Sequence, residues 1–143
     1  MAAPSFVDTN IFVYAQDGRD KDKRETAAQL LRNLTTQGSG VISTQVVQEL
    51  CSICLKPEIN LPHSELLMIL RAALYPMLKH TPNFEFYTRA LRLQAEESLS
   101  FYDALIVQAA IDLGCQTLYS EDLPAGQTYG GVTAVDPFKS GLE

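Results

Sequence analysis

Apolar positions along the chain alternate between short runs that stop on polar turns and longer stretches with helical spacing. Phe6-Val7 ends abruptly on Asp8-Thr9-Asn10, the pattern of a buried strand that delivers polar groups at its C-terminal end. Ile11 to Tyr14 continues apolar until Asp17-Gly18-Arg19-Asp20 interrupts it with turn chemistry. Ala27, Ala28, Leu30, Leu31 and Leu34 then predict a helix over 23–34, closed by Gly38 to Gly40. Val41-Ile42 predicts a second short strand. Ser43 or Thr44 can cap the next helix, whose stripe of Val46, Val47, Leu50, Ile53 and Cys54 ends at Pro57. Residues 64–78 predict a strongly apolar helix disturbed near its end by Pro76. Helices follow over 84–97 and 101–113, the latter opened by Ser100 and closed by Gly114. Strands are expected over 116–119 and 132–135, joined by a Gly-containing loop.

Strands separated by helices, without hairpin signals between them, predict a mainly parallel sheet covered on both faces, a three-layer α/β/α sandwich. A length of 143 residues suits one domain over 1–143. Hydrophobic residues at 46% and charged residues at 20% exclude disordered, collagen-like and coiled-coil classes. No apolar run approaches the roughly 20 residues of a membrane span, and little room precedes the first strand for a signal sequence. The expectation is a cytoplasmic protein with no membrane partner. Cys51, Cys54 and Cys115 lie in apolar segments, as reduced thiols do. A zinc site is disfavoured because the remaining soft donors, His63 and His80, lack paired spacing.

A net charge of −6 argues against general binding of phosphate backbones. Arg19, Lys21, Lys23 and Arg24, with Arg89 and Arg92, are the cations available for a local contact, although the first four also read as a solvated helix start. The acids carry more information. Asp8 directly follows a buried strand, where desolvation is costly unless the carboxylate is neutralised or hydrogen-bonded. Thr9 and Asn10 add oxygen donors beside it. Glu49 borders the apolar stripe of its helix. Ile106, Val107 and Ala110 lie within roughly 60° of Asp103 around its helix, so this acid points toward packed neighbours. Ser100-x-x-Asp103 also matches a capping box, which keeps the acid ionised near a helix N-terminus. Asp122 and Glu121 follow a strand, and periodicity does not decide which turns inward. Asp136 sits after the last strand, where Pro137 implies a solvated turn.

The four acids Asp8, Glu49, Asp103 and Asp122 are expected to meet. Two carboxylates at 4 Å repel by about 4 kcal/mol at an effective dielectric near 20, a heavy load on a domain stable by roughly 5–15 kcal/mol. A divalent ion or a trapped proton must offset it. Oxygen donors without His or thiolate select Mg²⁺ or Mn²⁺.

Phe6-Val7-Asp8-Thr9-Asn10-Ile11-Phe12-Val13-Tyr14-Ala15, Ser43-Thr44-Gln45-Val46-Val47-Gln48-Glu49, Phe101-Tyr102-Asp103-Ala104-Leu105-Ile106 and Leu118-Tyr119-Ser120-Glu121-Asp122-Leu123 resemble the PIN-domain nucleases, most closely the VapC-like toxins of toxin–antitoxin pairs. The likeness runs from Phe6 to Phe138. It implies an Mg²⁺- or Mn²⁺-dependent endoribonuclease with Asp8, Glu49, Asp103 and Asp122 as metal ligands and catalytic residues. Asn10 and Ser120 would support them. It also implies an RNA substrate, products with 5′-phosphate and 3′-hydroxyl ends, a homodimer and a cognate antitoxin. The chain departs from the family in carrying Asp136-Pro137-Phe138 where members often have Asn-Pro-Phe. The alternative is a catalytically inactive PIN-like module acting through protein contacts, whose mark would be an incomplete acidic set. A phosphoacceptor domain also clusters acids around Mg²⁺, but the residues after Tyr119 do not supply its lysine. The apolar surplus of 64–78 suits either a core helix or a dimer or antitoxin surface.

Overall fold

The computed structural model describes residues 3–139. Six strands form one sheet in the order β3-β2-β1-β4-β6-β5. They are β1 Ser5–Val7, β2 Gly40–Ser43, β3 Leu78–His80, β4 Thr117–Tyr119, β5 Thr128–Tyr129 and β6 Val132–Val135. All neighbours pair in parallel except β5 with β6. Helices α1 Thr9–Gln16, α2 Lys21–Gln37, α3 Thr44–Cys54 and α4 His63–Ile69 serve the crossovers that run outward from β1 to β3. Helices α5 Phe84–Glu97 and α6 Phe101–Asp112 serve the return to β4. Right-handed crossovers running in opposite directions place these two groups on opposite faces of the sheet, the expected three-layer sandwich.

Local chemistry sets the element ends. Asp8, Asp20, Asn83 and Ser100 each cap a helix by accepting a backbone N–H. Phe6, Val7, Ile42 and Leu118 are fully buried along the central strands. Helix α6 is buried from Ala104 through Ala110, as an apolar helix in the middle of a layer must be.

Three expectations change. The apolar stretch 64–78 is not one helix. It opens into a π turn at Leu70–Leu74, with the Tyr75 N–H reaching back to the Leu70 carbonyl, then a 3₁₀ turn at Tyr75–Met77, and Leu78–His80 is an edge strand. Pro76 explains the break, because it lacks the N–H needed to continue the α ladder. A hairpin also exists, since β5 and β6 are joined by Gly130 and Gly131, both with positive φ of 52° and 87°. A two-residue glycine loop of this kind is a type I′ turn, matched to the twist of an antiparallel pair. Finally, Asp136 is only 9% exposed, and its Oδ1 accepts the Phe138 N–H at 2.9 Å. It forms a buried turn around Pro137 rather than a solvated one.

Candidate functional site

The order in which strands are added reverses at β1, which leads outward to β2 and β3 on one side while the parallel β4 lies on its other side. At such a switch point the loops leave in opposite directions and open a crevice at the strands' carboxyl ends. Asp8 leaves β1 there. Its neighbour across the ladder is the end of β4, with Val7 in register with Tyr119 and the Asp8 N–H bonded to the Tyr119 carbonyl at 2.9 Å. Ser120 therefore arrives beside Asp8, and its hydroxyl donates to Asp8 Oδ2 at 2.8 Å. The same oxygen of Ser120 accepts the Asp122 N–H at 3.1 Å.

A cleft of about 370 Å³ opens above these residues, and Asp8, Asn10, Glu49, Asp103 and Asp122 all line it. All four acids expected from the sequence thus come to one place from four segments. Asp8 is 5% exposed, and burial raises its carboxyl to about 7 against the pull of the Ser120 and Thr9 hydrogen bonds, with Asp122 and Glu49 adding like-charge repulsion. Asp103 is also raised, first by burial and then by Asp122 and Glu49, while the Ser100 hydroxyl lowers it. Both capping and inward orientation hold for this residue, since its backbone N–H bonds to Ser100 Oγ at 3.1 Å and its side chain faces the cleft.

The remaining acids are held by neutral donors. Thr9 Oγ1 donates to Glu49 Oε1 at 2.7 Å, and Gln45 Nε2 donates to Glu49 Oε2 at 3.2 Å. Asn10 Nδ2 donates to Asp122 Oδ2 at 3.1 Å, while Asn10 Oδ1 accepts the Glu121 N–H at 3.3 Å. Glu121 and Asp122 both line the cleft and differ in their partners. Glu121 is paired with Lys23 and accepts from the Tyr14 hydroxyl at 2.6 Å. Although burial pushes it up, these two partners hold its carboxyl below the ordinary glutamate range. Asp122 is left to the cleft.

The donor set is all oxygen, and like charge from Asp122 and Glu49 adds to burial in raising Asp8 and Asp103. That chemistry fits Mg²⁺ or Mn²⁺. Among the described residues, no three His, Cys, Asp or Glu side chains converge closely enough to form a ready-made cage.

Sequence reasoning missed the orienting roles of Gln45 and of the Tyr14–Lys23–Glu121 group. The first has a readable mark, because Gln45 and Glu49 stand four apart on one helix face. The second joins residues 98 and 107 positions apart and has none. Of the cations considered for RNA, Arg19 lines the cleft and pairs with Asp17 at 2.6 Å, whereas Lys23 is turned to Glu121. The three cysteines are free thiols, and burial pushes Cys115 up to about 12. Among the described residues, no helix is long and apolar enough to cross a membrane.

Comparison with solved structures finds the same fold at low identity. FitAcB from Neisseria gonorrhoeae matches with a TM-score of 0.68 at 16% identity, covering 94% of this chain and 98% of that one. VapC20 from Mycobacterium tuberculosis, described as a sarcin-ricin loop cleaving toxin, matches with a TM-score of 0.61 at 16% identity, covering 82% and 89%. VapBC2 from Rickettsia felis, bound to a DNA fragment from their promoter, matches with a TM-score of 0.53 at 20% identity, covering 82% and 86%. A comparison with curated proteins found no match. Residues 5–124 match the PIN domain family in sequence, and the chain belongs to it.

Proposed function

We propose that this protein is an Mg²⁺- or Mn²⁺-dependent endoribonuclease and the toxin of a toxin–antitoxin pair. Its metal-holding, catalytic carboxylates are Asp8, Glu49, Asp103 and Asp122, supported by Asn10 and Ser120. The observation that carries this reading is the convergence of four acids from four segments on one cleft, with the most buried of them raised toward neutrality. A divalent ion held by Asp8, Glu49, Asp103 and Asp122 would supply compensating charge and Lewis acidity for hydrolysis of a phosphodiester.

The chain's own groups do the positioning. Asp8 is fixed by the Thr9 N–H at 2.7 Å and by the Ser120 hydroxyl, so its remaining lone pairs face the cleft. Thr9 and Gln45 set the Glu49 carboxylate, and Asn10 sets Asp122. Arg19, at the cleft wall, adds a positive charge within reach of a substrate phosphate, although its Nε and Nη2 donors are engaged by Asp17. The likeness to VapC20 and VapBC2 supports RNA as substrate and an antitoxin as partner. Exposed Met68, Tyr75, Phe84 and Leu91 provide apolar surface for that antitoxin or for a second copy in a homodimer.

Purified protein is expected to cut RNA in Mg²⁺ or Mn²⁺, leaving 5′-phosphate and 3′-hydroxyl ends, and to stop in EDTA. Asp8→Asn should lower the rate at least roughly a hundredfold while circular dichroism stays unchanged. Cleavage undiminished in EDTA rejects the proposal, and RNA left intact under every metal condition favours a non-catalytic binding module.

A further inference from the structure

A second cavity of about 220 Å³ lies beside the acidic cleft along the same carboxyl edge of the sheet. Ser43 ends β2 and His80 ends β3, and both line it, together with Tyr87 of α5 and Phe101 and Tyr102 at the start of α6. Gln45 and Tyr102 line both cavities, so the two share a wall. Gln45 builds that wall by donating from one amide nitrogen to Glu49 Oε2 at 3.2 Å and to the Tyr102 carbonyl at 3.3 Å.

The second cavity joins two kinds of surface. Tyr87, Phe101 and Tyr102 are exposed aromatic rings. Ser43 and His80 are polar and only 4% and 8% exposed, and among the described residues Ser43 Oγ and His80 Nδ1 lack hydrogen-bond partners. The His80 ring is held in place, with Nε2 3.5 Å from Asp112 Oδ2 and its centroid 4.5 Å from that of the tilted Phe86 ring. Leaving a buried polar group unpaired carries its full desolvation penalty. Such a cost is recovered when a ligand with its own polar edge enters. An apolar side chain from a protein partner would satisfy the rings but not these two atoms.

We propose that this cavity is a nucleobase subsite. One unpaired base adjoining the cleaved phosphate stacks on the aromatic rings and turns its edge toward the wall formed by Ser43 and His80. The subsite rests on the ribonuclease reading and deepens it, because it makes the substrate single-stranded at that position. Proteins read RNA in this way where bases are unstacked, in loops and ends.

The test uses the full chain carrying Asp8→Asn, so that RNA stays uncut, and a short fluorescein-labelled single-stranded RNA with a set of copies abasic at each position in turn. Adding Tyr87→Ala or Phe101→Ala is expected to weaken binding roughly 5- to 150-fold, the range for one stacked base, and Tyr87→Phe should restore it. One abasic position should show the same loss, and combining it with Tyr87→Ala should lose nothing more. Unchanged binding in both folded alanine variants, or abasic losses that simply add to theirs, overturns the subsite and leaves the nuclease standing. If Tyr87→Ala turns a dimer into a monomer while RNA affinity is retained, a second copy owns the pocket and the subsite is overturned. If the wild-type chain neither binds nor cuts RNA, both the subsite and the nuclease reading fall.

Discussion

Asp8 concentrates the energetics of the molecule in one side chain. Its carboxyl is raised from 3.8 to about 7, chiefly by burial, so between these values the folded chain binds a proton that the unfolded chain has released. Stability then falls as pH rises through that window and levels off above about 7. The difference of about three pH units corresponds to roughly 4 kcal/mol for this nearly inaccessible group. Asn at the same position caps a helix as well as Asp does and carries no charge to desolvate. In urea unfolding with EDTA present, wild type should therefore lose stability relative to Asp8→Asn between pH 4 and 7, and the two should differ little at pH 4. Parallel curves across the range would remove Asp8 as the strained charge. Part of this was legible in Phe6-Val7-Asp8, because an acid placed directly after a buried strand must be neutralised or hydrogen-bonded, although a turn Asp that accepts a backbone N–H, as Asp8 does from Thr9, reads the same way. Asp103 was legible too, from the apolar residues sharing its helix face. Glu121 against Asp122 was not, since the decision depends on Tyr14 and Lys23 arriving from other segments.

Those two residues make a brace between elements. Lys23 on α2 reaches Glu121 after β4, and its ammonium also lies 4.6 Å from the Tyr14 ring centroid and 5.3 Å from that of Phe138. The Tyr14 and Phe138 rings meet edge to face at 4.9 Å. The hydrogen bond to Glu121 raises the Lys23 ammonium above its ordinary range, against the cost of its partial burial. On the other side of the same turn, Asn10 holds both the Glu121 N–H and the Asp122 carboxylate. The turn carrying Asp122 is thus clamped from α1 and from α2. Lys23→Met should cost less than about 1 kcal/mol of stability, because the pair is partly solvated. It should weaken Mn²⁺ binding roughly tenfold in calorimetric titration, as loss of an outer orienting partner does, and Lys23→Arg should recover part of it. Unaltered Mn²⁺ affinity would show that the brace does not position Asp122. At this scale the sequence spoke unevenly. Helices with capping residues and clean periodicity, such as 84–97 and 101–113, were legible. The 64–78 stretch was not, because its last residues are recruited by pairing with β2 beyond Pro76, a long-range gain that local periodicity does not encode.

Across the whole molecule, a net charge of −6 and a cleft walled by carboxylates set how the proposed RNA substrate could be held. Lysines and arginines number 11 against 17 acids, so a broad cationic track is absent from the composition, and long-range attraction works against the approach of phosphates. Arg19 is the cation lining the cleft, and part of its charge is spent on Asp17, whose carboxyl it holds below the ordinary range. On the proposed ribonuclease reading, affinity would then come from a metal held at the carboxylates and from contacts to bases, with few phosphates neutralised by side chains. Each phosphate contact to a single strand contributes about −0.7 to the slope of log K against log salt. One or two contacts give a slope of roughly −1, and Arg19→Ala should flatten it by about 0.7. Fluorescence anisotropy of Asp8→Asn with labelled RNA between 50 and 300 mM salt, at about constant Mg²⁺, measures this slope. A value near −5 would mean that cations elsewhere on the surface carry the strand, and the cleft would lose its place as the principal contact. A shallow slope instead leaves recognition to the shape of the carboxyl edge of the sheet, where the switch point between β1 and β4 gathers the acids.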